Sequence, residues 1–235
     1  MPVLLAALAV AAIGPARADA ARECEGLLVC IPVQGPWVQV PGSGAPTYWQ
    51  LSCPGRGQVI GGLDADRSGR LEITFLGALG GPVGPGVTTG RAAVFVARTP
   101  QRLSAFRPLL GCIPGGGGGA RGRTGVGPAP PTRRLTAAAP VEEAAVRRVK
   151  TVAVPNRASI RITHGCLAGE RLLDSSQAVA FRTRRAPTAD VLGSVRATSR
   201  HAGGRVVVTV RSSVARPVAV RVQLQVHAIC ARVSP

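Results

Sequence analysis

Apolar and polar side chains alternate along several short segments of this chain. Residues 47–53 place Trp49, Leu51 and Cys53 on one face, and residues 71–75 repeat the alternation with Leu, Ile and Phe. Glycines and prolines separate these segments. A period of two bounded by turn formers predicts β-strands, each with one face against a core.

The clearest alternation lies near the end of the chain. Apolar side chains share one face from Val218 to Cys230, while Arg221, Gln223, Gln225 and His227 fall on the other. Antiparallel sheets with one wet face produce this pattern. We therefore expect a half-exposed strand, and we interpret its polar face as a candidate ligand surface.

A stretch rich in Gly, Pro and Arg at residues 115–145 divides the chain. Its composition cannot form a core and predicts a flexible linker. We expect an all-β fold of two small antiparallel β-sandwich-like domains, stapled by disulfides, at residues 21–114 and 146–235. In each domain a Cys follows an early strand and another Cys lies near the end, which suggests a duplication.

The N-terminus has the features of an export signal. Residues 2–13 are apolar but too short to span a bilayer, which takes about 20 residues, and Ala18-Asp19-Ala20 follows them. We predict a signal peptide at residues 1–20, although no basic residue precedes the apolar run. We expect a secreted or cell-envelope protein with no transmembrane segment after cleavage.

Six cysteines in an exported chain predict disulfides. The pairing follows from strand parity, since two cysteines on inward faces of one sandwich can bridge its sheets. The predicted pairs are Cys166–Cys230, Cys53–Cys112 and Cys24–Cys30. Other pairings among the first four cysteines remain open at this stage.

The net charge of +18 favours anionic partners. Nearly all of the positive charge is arginine, because the chain has a single lysine, and a GC-rich genome also produces this composition. The arginines look scattered along the sequence, without stacking aromatics, so we expect no specific nucleic-acid binding. The expected partners are anionic cell-envelope polymers or other surface proteins.

Catalytic and metal-binding patterns are weak. The sequence has no G-x-S-x-G, no H-E-x-x-H and no C-x-x-C. Residues 64–69 resemble the first half of a calcium loop, but Phe75 stands where the bidentate Glu should be, so we interpret the segment as a polar hairpin turn. Trp37, after Gly35-Pro36, is a candidate for stacking on a sugar or for the core.

We therefore expect a non-catalytic, secreted or envelope-associated binding or structural module, without cofactor or metal. The alternatives are a secreted hydrolase acting on an envelope polymer and an arginine-rich anion-binding module.

Overall fold

The computed structural model describes residues 22–77, 82–84, 87–88, 90–100, 102–115, 136–137, 145–214 and 220–232. These residues form strands almost throughout, with one 3-10 turn at Arg22–Cys24 and one short helix, α1 (Ala189–Gly193). The predicted signal peptide and nearly all of the predicted linker lie outside this part of the chain. Among the described residues, no helix is long and apolar enough to cross a membrane.

The strands are β1 (Ile31–Gln34), β2 (Trp37–Val40), β3 (Thr47–Ser52), β4 (Gln58–Ser68), β5 (Glu72–Gly77), β6 (Pro82–Gly84), β7 (Val87–Thr88), β8 (Ala92–Arg98), β9 (Ser104–Pro114), β10 (Thr136–Ala137), β11 (Ala145–Val154), β12 (Ser159–Gly165), β13 (Glu170–Arg182), β14 (Val195–Ala202), β15 (Arg205–Ser212) and β16 (Arg221–Arg232). All described strand pairs are antiparallel except the short pairing of β10 with β5. The prediction of an all-β fold is confirmed.

The strands form three layers. The central sheet has the order β1-β9-β2-β13-β16-β11, with β4 on the other edge of β9. We call β10-β5-β8-β3 the N-terminal outer sheet and β12-β15-β14 the C-terminal outer sheet. A two-stranded ribbon of β6 and β7 completes the described strands.

The two outer sheets cover opposite faces of the central sheet, because neighbouring residues of its strands belong to different cores. Val38 and Ala180 pack in the core under the N-terminal outer sheet. Trp37 and Phe181, one position away on the same strands, pack in the core under the C-terminal outer sheet. Side chains alternate across a strand, so both faces of this sheet are buried where the two cores meet.

The two halves of the chain share the central sheet through β2 and β13, which pair at Val38↔Ala180 and Trp37↔Phe181. The domain boundaries assigned from the sequence stay a prediction. The strand order is the same in the two halves. In the central sheet, β2-β9-β4 of the first half corresponds to β11-β16-β13 of the second. In the outer sheets, β3-β8-β5 corresponds to β12-β15-β14. This correspondence supports the duplication hypothesis.

Each outer sheet is covalently tied to the central sheet. Cys53, after β3, bonds to Cys112 of β9, and Cys166, after β12, bonds to Cys230 of β16. Cys24 and Cys30 form the third bond, so all three predicted pairs are confirmed. Three disulfides indicate folding in an oxidising compartment.

The 3-10 turn sits close to the central sheet because glycines make room for it. Gly62 and Gly111 face each other on β4 and β9, and the carbonyl of Glu23 lies directly where a Cβ would project from either one. Any larger residue at these positions would collide with backbone atoms. The Cys24–Cys30 bond closes the loop that holds this turn.

The disulfides should contribute unequally to stability. The two inter-sheet bonds close separations of 59 and 64 residues, whereas Cys24–Cys30 closes 6. We expect Cys166→Ala/Cys230→Ala to cost about 4 kcal/mol of unfolding free energy and Cys24→Ala/Cys30→Ala about 2 kcal/mol, because longer loops restrict the unfolded chain more. Urea unfolding of both double variants checks this order, and a larger loss from Cys24→Ala/Cys30→Ala would contradict it.

Candidate functional site

The outer face of the C-terminal outer sheet carries a cluster of arginines. In β15 the buried Val206, Val208 and Val210 point into the core. The alternate positions Arg205 and Arg211 therefore point outward and are exposed. The same alternation turns Arg161 outward on β12, and Arg196 and Arg200 outward on β14.

Strand register brings these side chains together. Arg211 lies opposite Arg196 on one side and Ser159 on the other. These three residues form one row across the sheet, with one member on each of β12, β15 and β14. The following rows, each two residues further along the strands, are Arg161–Thr209–Thr198, Thr163–Val207–Arg200 and Gly165–Arg205–Ala202. Rows are about 7 Å apart along the strands, and neighbours within a row are about 5 Å apart. We call Arg161, Arg196, Arg200, Arg205 and Arg211 the arginine face.

The positive charge of the arginine face is not neutralised within the described residues. Strands β12, β14 and β15 contain no Asp or Glu. None of the five guanidinium groups has a hydrogen bond or ion pair to any residue in the described part of the chain. Like charges directly opposite each other across strands are destabilising, so this arrangement costs folding energy.

Arginines elsewhere in the fold do have acidic partners. The Nε of Arg107 donates a hydrogen bond to Oδ2 of Asp66 at 2.8 Å. Arg148 of β11 bonds Glu170 with its Nε at 2.8 Å, and this pairing lowers the pKa of Glu170 to about 2. Asp66 and Glu170 are thus paired with arginines outside the arginine face.

The sequence-based expectation of scattered arginines is wrong for these strands. Arg196, Arg200, Arg205 and Arg211 look dispersed in the sequence because alternation separates them by apolar or polar inward positions. The turn at Gly203-Gly204 folds β14 back onto β15 and places their arginines side by side. The signal that could have found the face is the shared parity of arginines on consecutive strands.

The polar face predicted on β16 is only partly open to solvent. Arg221 is exposed and Gln223 is partly exposed, but Gln225 and His227 are 4% and 0% exposed. The expectation of a wet face is wrong at these two residues, because the edge of β3 packs against them. The alternation itself is as expected.

Gln225 joins the two halves of the chain by its amide group. Its Oε1 accepts a bond from the backbone N–H of Gln50 at 2.6 Å, and its Nε2 donates to the carbonyl of Gln50 at 3.1 Å. The amide thereby satisfies the open edge of β3 as a neighbouring strand would. Nε2 also donates to Oγ1 of Thr151 at 3.1 Å.

His227 continues this buried network. Its Nδ1 lies 3.1 Å from Nη1 of Arg147, and its Nε2 lies 2.8 Å from Oε1 of Gln225. Arginine can only donate, so Nδ1 accepts and the proton of the neutral ring is on Nε2. Burial, together with the charge of Arg147 and the proximity of His164, lowers the pKa of His227 to about 3.

Trp37, the other candidate surface residue, is 5% exposed and belongs to the core under the C-terminal outer sheet. The guanidinium carbon of Arg107 lies 5.0 Å from the centre of its ring. Its ring therefore packs within the protein, and of the two roles considered for Trp37 the structure supports the core and not a sugar-stacking surface.

The segment that resembles a calcium loop is part of a strand. Asp64 and Asp66 lie within β4, which runs to Ser68, so the expectation of a polar hairpin turn is wrong there. Arg22 pairs with both carboxylates, and Arg107 pairs with Asp66. The carboxylate oxygens thus have protein partners.

One group in the described residues brings His, Cys, Asp or Glu atoms close enough for a shared metal: Cys166, Glu170 and Cys230. Both cysteines are joined in a disulfide, and Glu170 is paired with Arg148. A disulfide removes the thiolates that would bind a metal. The disulfide and the ion pair with Arg148 therefore explain why these three side chains lie close together.

Comparisons with protein-family models, curated proteins and solved structures find no match to this chain.

The arginine face should make stability depend on salt. We expect Arg196→Thr to raise the unfolding free energy by about 0.2–1 kcal/mol at low salt, because it removes the repulsion from Arg211. The gain should vanish near 1 M salt, where the screening length is about 3 Å. Arg148→Thr is the matched control and should lower stability, because it removes the partner of Glu170. Urea unfolding at low and high salt measures both effects, and a loss of stability in Arg196→Thr at low salt would contradict the interpretation.

The buried His227 should make the fold sensitive to acid. In the unfolded chain this imidazole takes up a proton near pH 6.5, but in the fold only near pH 3. Its contribution to stability is therefore fully present above about pH 6.5 and is lost as the pH falls toward 3.

The test compares the wild type with His227→Gln by urea unfolding between about pH 6.5 and 4.5. Glu170 begins to titrate in the unfolded chain at the lower end of this range, but it does so equally in both proteins. Burial also raises the pKa of Glu23, but that residue is common to both proteins and cancels in the difference. The wild type should lose more stability than the variant over this range. Parallel curves would refute a buried, neutral His227.

Proposed function

We propose that this chain is an exported, non-catalytic protein that binds an anionic polymer of the cell envelope through the arginine face. The observation that carries the proposal is the array of five exposed arginines on one face of a single sheet, without an acidic partner in the described residues.

The chemistry of the arginine face suits a polymer with repeated phosphate or carboxylate groups. Guanidinium groups donate paired hydrogen bonds that match these oxyanions, and such charge-assisted bonds are stronger than neutral ones. Thr163, Thr198 and Thr209 add hydroxyl donors on the same face. A bound polyanion would also relieve the repulsion between Arg196 and Arg211.

Export is part of the proposal. The apolar run and Ala18-Asp19-Ala20 near the N-terminus fit a cleavable signal. The three disulfides independently favour an oxidising location. The net charge of +18 would attract a negatively charged envelope over a distance set by the screening length.

Envelope polymer is favoured over nucleic acid because no aromatic side chain lies on the described outward positions of β12, β14 and β15. Proteins that bind single-stranded nucleic acid generally stack bases on aromatic rings. A sheet face that carries arginines and threonines but no acids instead suits an extended chain whose charges repeat.

The test is retention of the full, oxidised protein on a polyol-phosphate wall polymer across a salt series. Arg161→Gln/Arg196→Gln/Arg211→Gln removes three charges from the arginine face. Arg56→Gln/Arg70→Gln/Arg102→Gln removes three exposed charges elsewhere and is the matched control. We expect the first variant to bind at least about tenfold more weakly than the control, because charge-assisted bonds contribute about 1.5–3 kcal/mol each.

Equal losses in the two variants would mean that net charge alone drives retention and would contradict the proposal, as would tighter binding to single-stranded DNA of matched charge. Cleavage of the polymer would favour the alternative, a secreted hydrolase. The observation that bears on this alternative is the hydrogen bond between Oγ of Ser175 and Nε2 of His201 at 2.7 Å. No carboxylate in the described residues orients that imidazole, which leaves the pair without the third member of a triad.

A further inference from the structure

A cleft of about 500 Å³ lies between the outward side of the N-terminal outer sheet and the C-terminal half of the central sheet. Tyr48 and Val96 line one wall, and Arg147, Asp174 and Ile229 line the other. This volume is within the range of small-molecule sites, about 300–1,000 Å³. The cleft is built from different strands than the arginine face.

Opposite charges flank an apolar centre on one wall of the cleft. Ile229 of β16 lies opposite Arg147 of β11 on one side and opposite Asp174 of β13 on the other. Two strand spacings of about 4.8 Å separate the backbones of the charged residues. The row therefore presents a cation, an apolar side chain and an anion in line.

A β-bulge in β13 shapes this row. The register of β13 against β16 shifts between Leu172 and Asp174, so Leu173 is an additional residue. Leu173 and Asp174 both line the cleft, although they are neighbours in sequence. Bulges commonly redirect a side chain at a functional site.

Tyr48 and His227 hold the guanidinium group of Arg147 in position. Its guanidinium carbon lies 5.1 Å from the centre of the Tyr48 ring, and its Nη1 donates to Nδ1 of His227 at 3.1 Å. His227 is fixed in turn by Gln225 at 2.8 Å. Tyr48 and His227 are neutral, so these contacts position the guanidinium group without cancelling its charge. Arg147 is partly buried, and this burial lowers its pKa.

No salt bridge joins the two charged groups of the row, although the charge of Asp174 acts on Arg147 and offsets part of the lowering of its pKa by burial. Neither Arg147 nor Asp174 forms an ion pair with any residue in the described part of the chain. One oxygen of Asp174 accepts the N–H of Ser175 at 2.7 Å. Arg98 and Glu72 add one further charge of each sign to the lining, so the cleft is balanced overall.

We propose that this cleft binds a small zwitterion, an amino acid or dipeptide with an apolar side chain. Its carboxylate would meet Arg147, its ammonium group would meet Asp174, and its side chain would lie against Ile229, Leu173 and Val96. A simple anion would leave Asp174 facing a like charge, and a simple cation would face Arg147. A zwitterion carries an opposite charge for Arg147 at one end of the row and for Asp174 at the other.

The experiment titrates the full, oxidised protein with leucyl-leucine and follows binding by calorimetry. Two capped probes separate the charges: N-acetyl-leucyl-leucine lacks the ammonium group, and leucyl-leucine amide lacks the carboxylate. Leucyl-leucine should bind at least about tenfold more tightly than either capped probe, since each cap removes a charge-assisted contact. Absence of saturable binding at millimolar concentration would overturn the proposal.

Two variants assign each end of the ligand. Asp174→Asn, at an exposed position, should remove the preference for leucyl-leucine over the acetylated probe and keep the preference over the amide. Arg147→Gln should do the reverse. Arg221→Gln, exposed on β16, is the control and should change neither. If Asp174→Asn binds all three probes as the wild type does, the assignment of the ammonium group fails, and polymer retention by the same variants tests the arginine face separately.

Discussion

Burial of the central sheet on both faces, in the region where the two cores meet, is the constraint from which the rest of this structure follows. A sheet covered on one side can leave every second side chain in water, but here each strand of the shared region meets a core on either side. Apolar residues therefore occupy both parities in β13, where Ala178, Val179, Ala180 and Phe181 are all buried. The pairing of β2 with β13 extends this doubly covered region across both halves of the chain.

The same constraint explains the buried polar network. Gln225 and His227 occupy polar positions of β16 that an outer layer covers, so each must find hydrogen-bond partners inside the protein. Gln225 forms hydrogen bonds with the free backbone groups at the edge of β3, and His227 forms hydrogen bonds with Gln225 and Arg147. The network thus satisfies a strand edge, connects the two halves and positions a guanidinium group beside the cleft.

The arginine face, which has no acidic partner in the described residues, lies on an outer sheet. The C-terminal outer sheet is covered on one side only, and its outward positions carry arginine and threonine without acids. The proposed polymer site and the proposed zwitterion site thus lie on different layers. The first is an open cationic sheet face, and the second is concave and balanced in charge, so they suit ligands of different classes.

The alternation of apolar and polar residues was sufficient to predict features that depend on a single strand, such as which side chains face the core. The alternation around Trp49 and Cys53 predicted their inward faces, and cysteine parity predicted the inter-sheet bonds. What the sequence missed depends on contacts between distant segments. His227 looked exposed because its cover, β3, lies far away along the chain, and Trp37 looked available for ligands because a strand of four residues gives little periodic signal.

The arginine face was missed for a related reason. Strands β14 and β15 each carry two arginines on one face and β12 carries one, but their convergence requires the order β12-β15-β14 and the register that sets Arg196 beside Arg211. Strand order and register between hairpins are tertiary properties, which short-range periodicity does not determine.

The most direct measurement of the central claim is the protection of individual arginines from an arginine-specific dicarbonyl reagent when an anionic wall polymer is bound, with sites read by peptide mass spectrometry. The account predicts protection of Arg161, Arg196, Arg200, Arg205 and Arg211, while the exposed Arg56 and Arg70 continue to react. Protection spread evenly over all exposed arginines, or centred away from the C-terminal outer sheet, would contradict it.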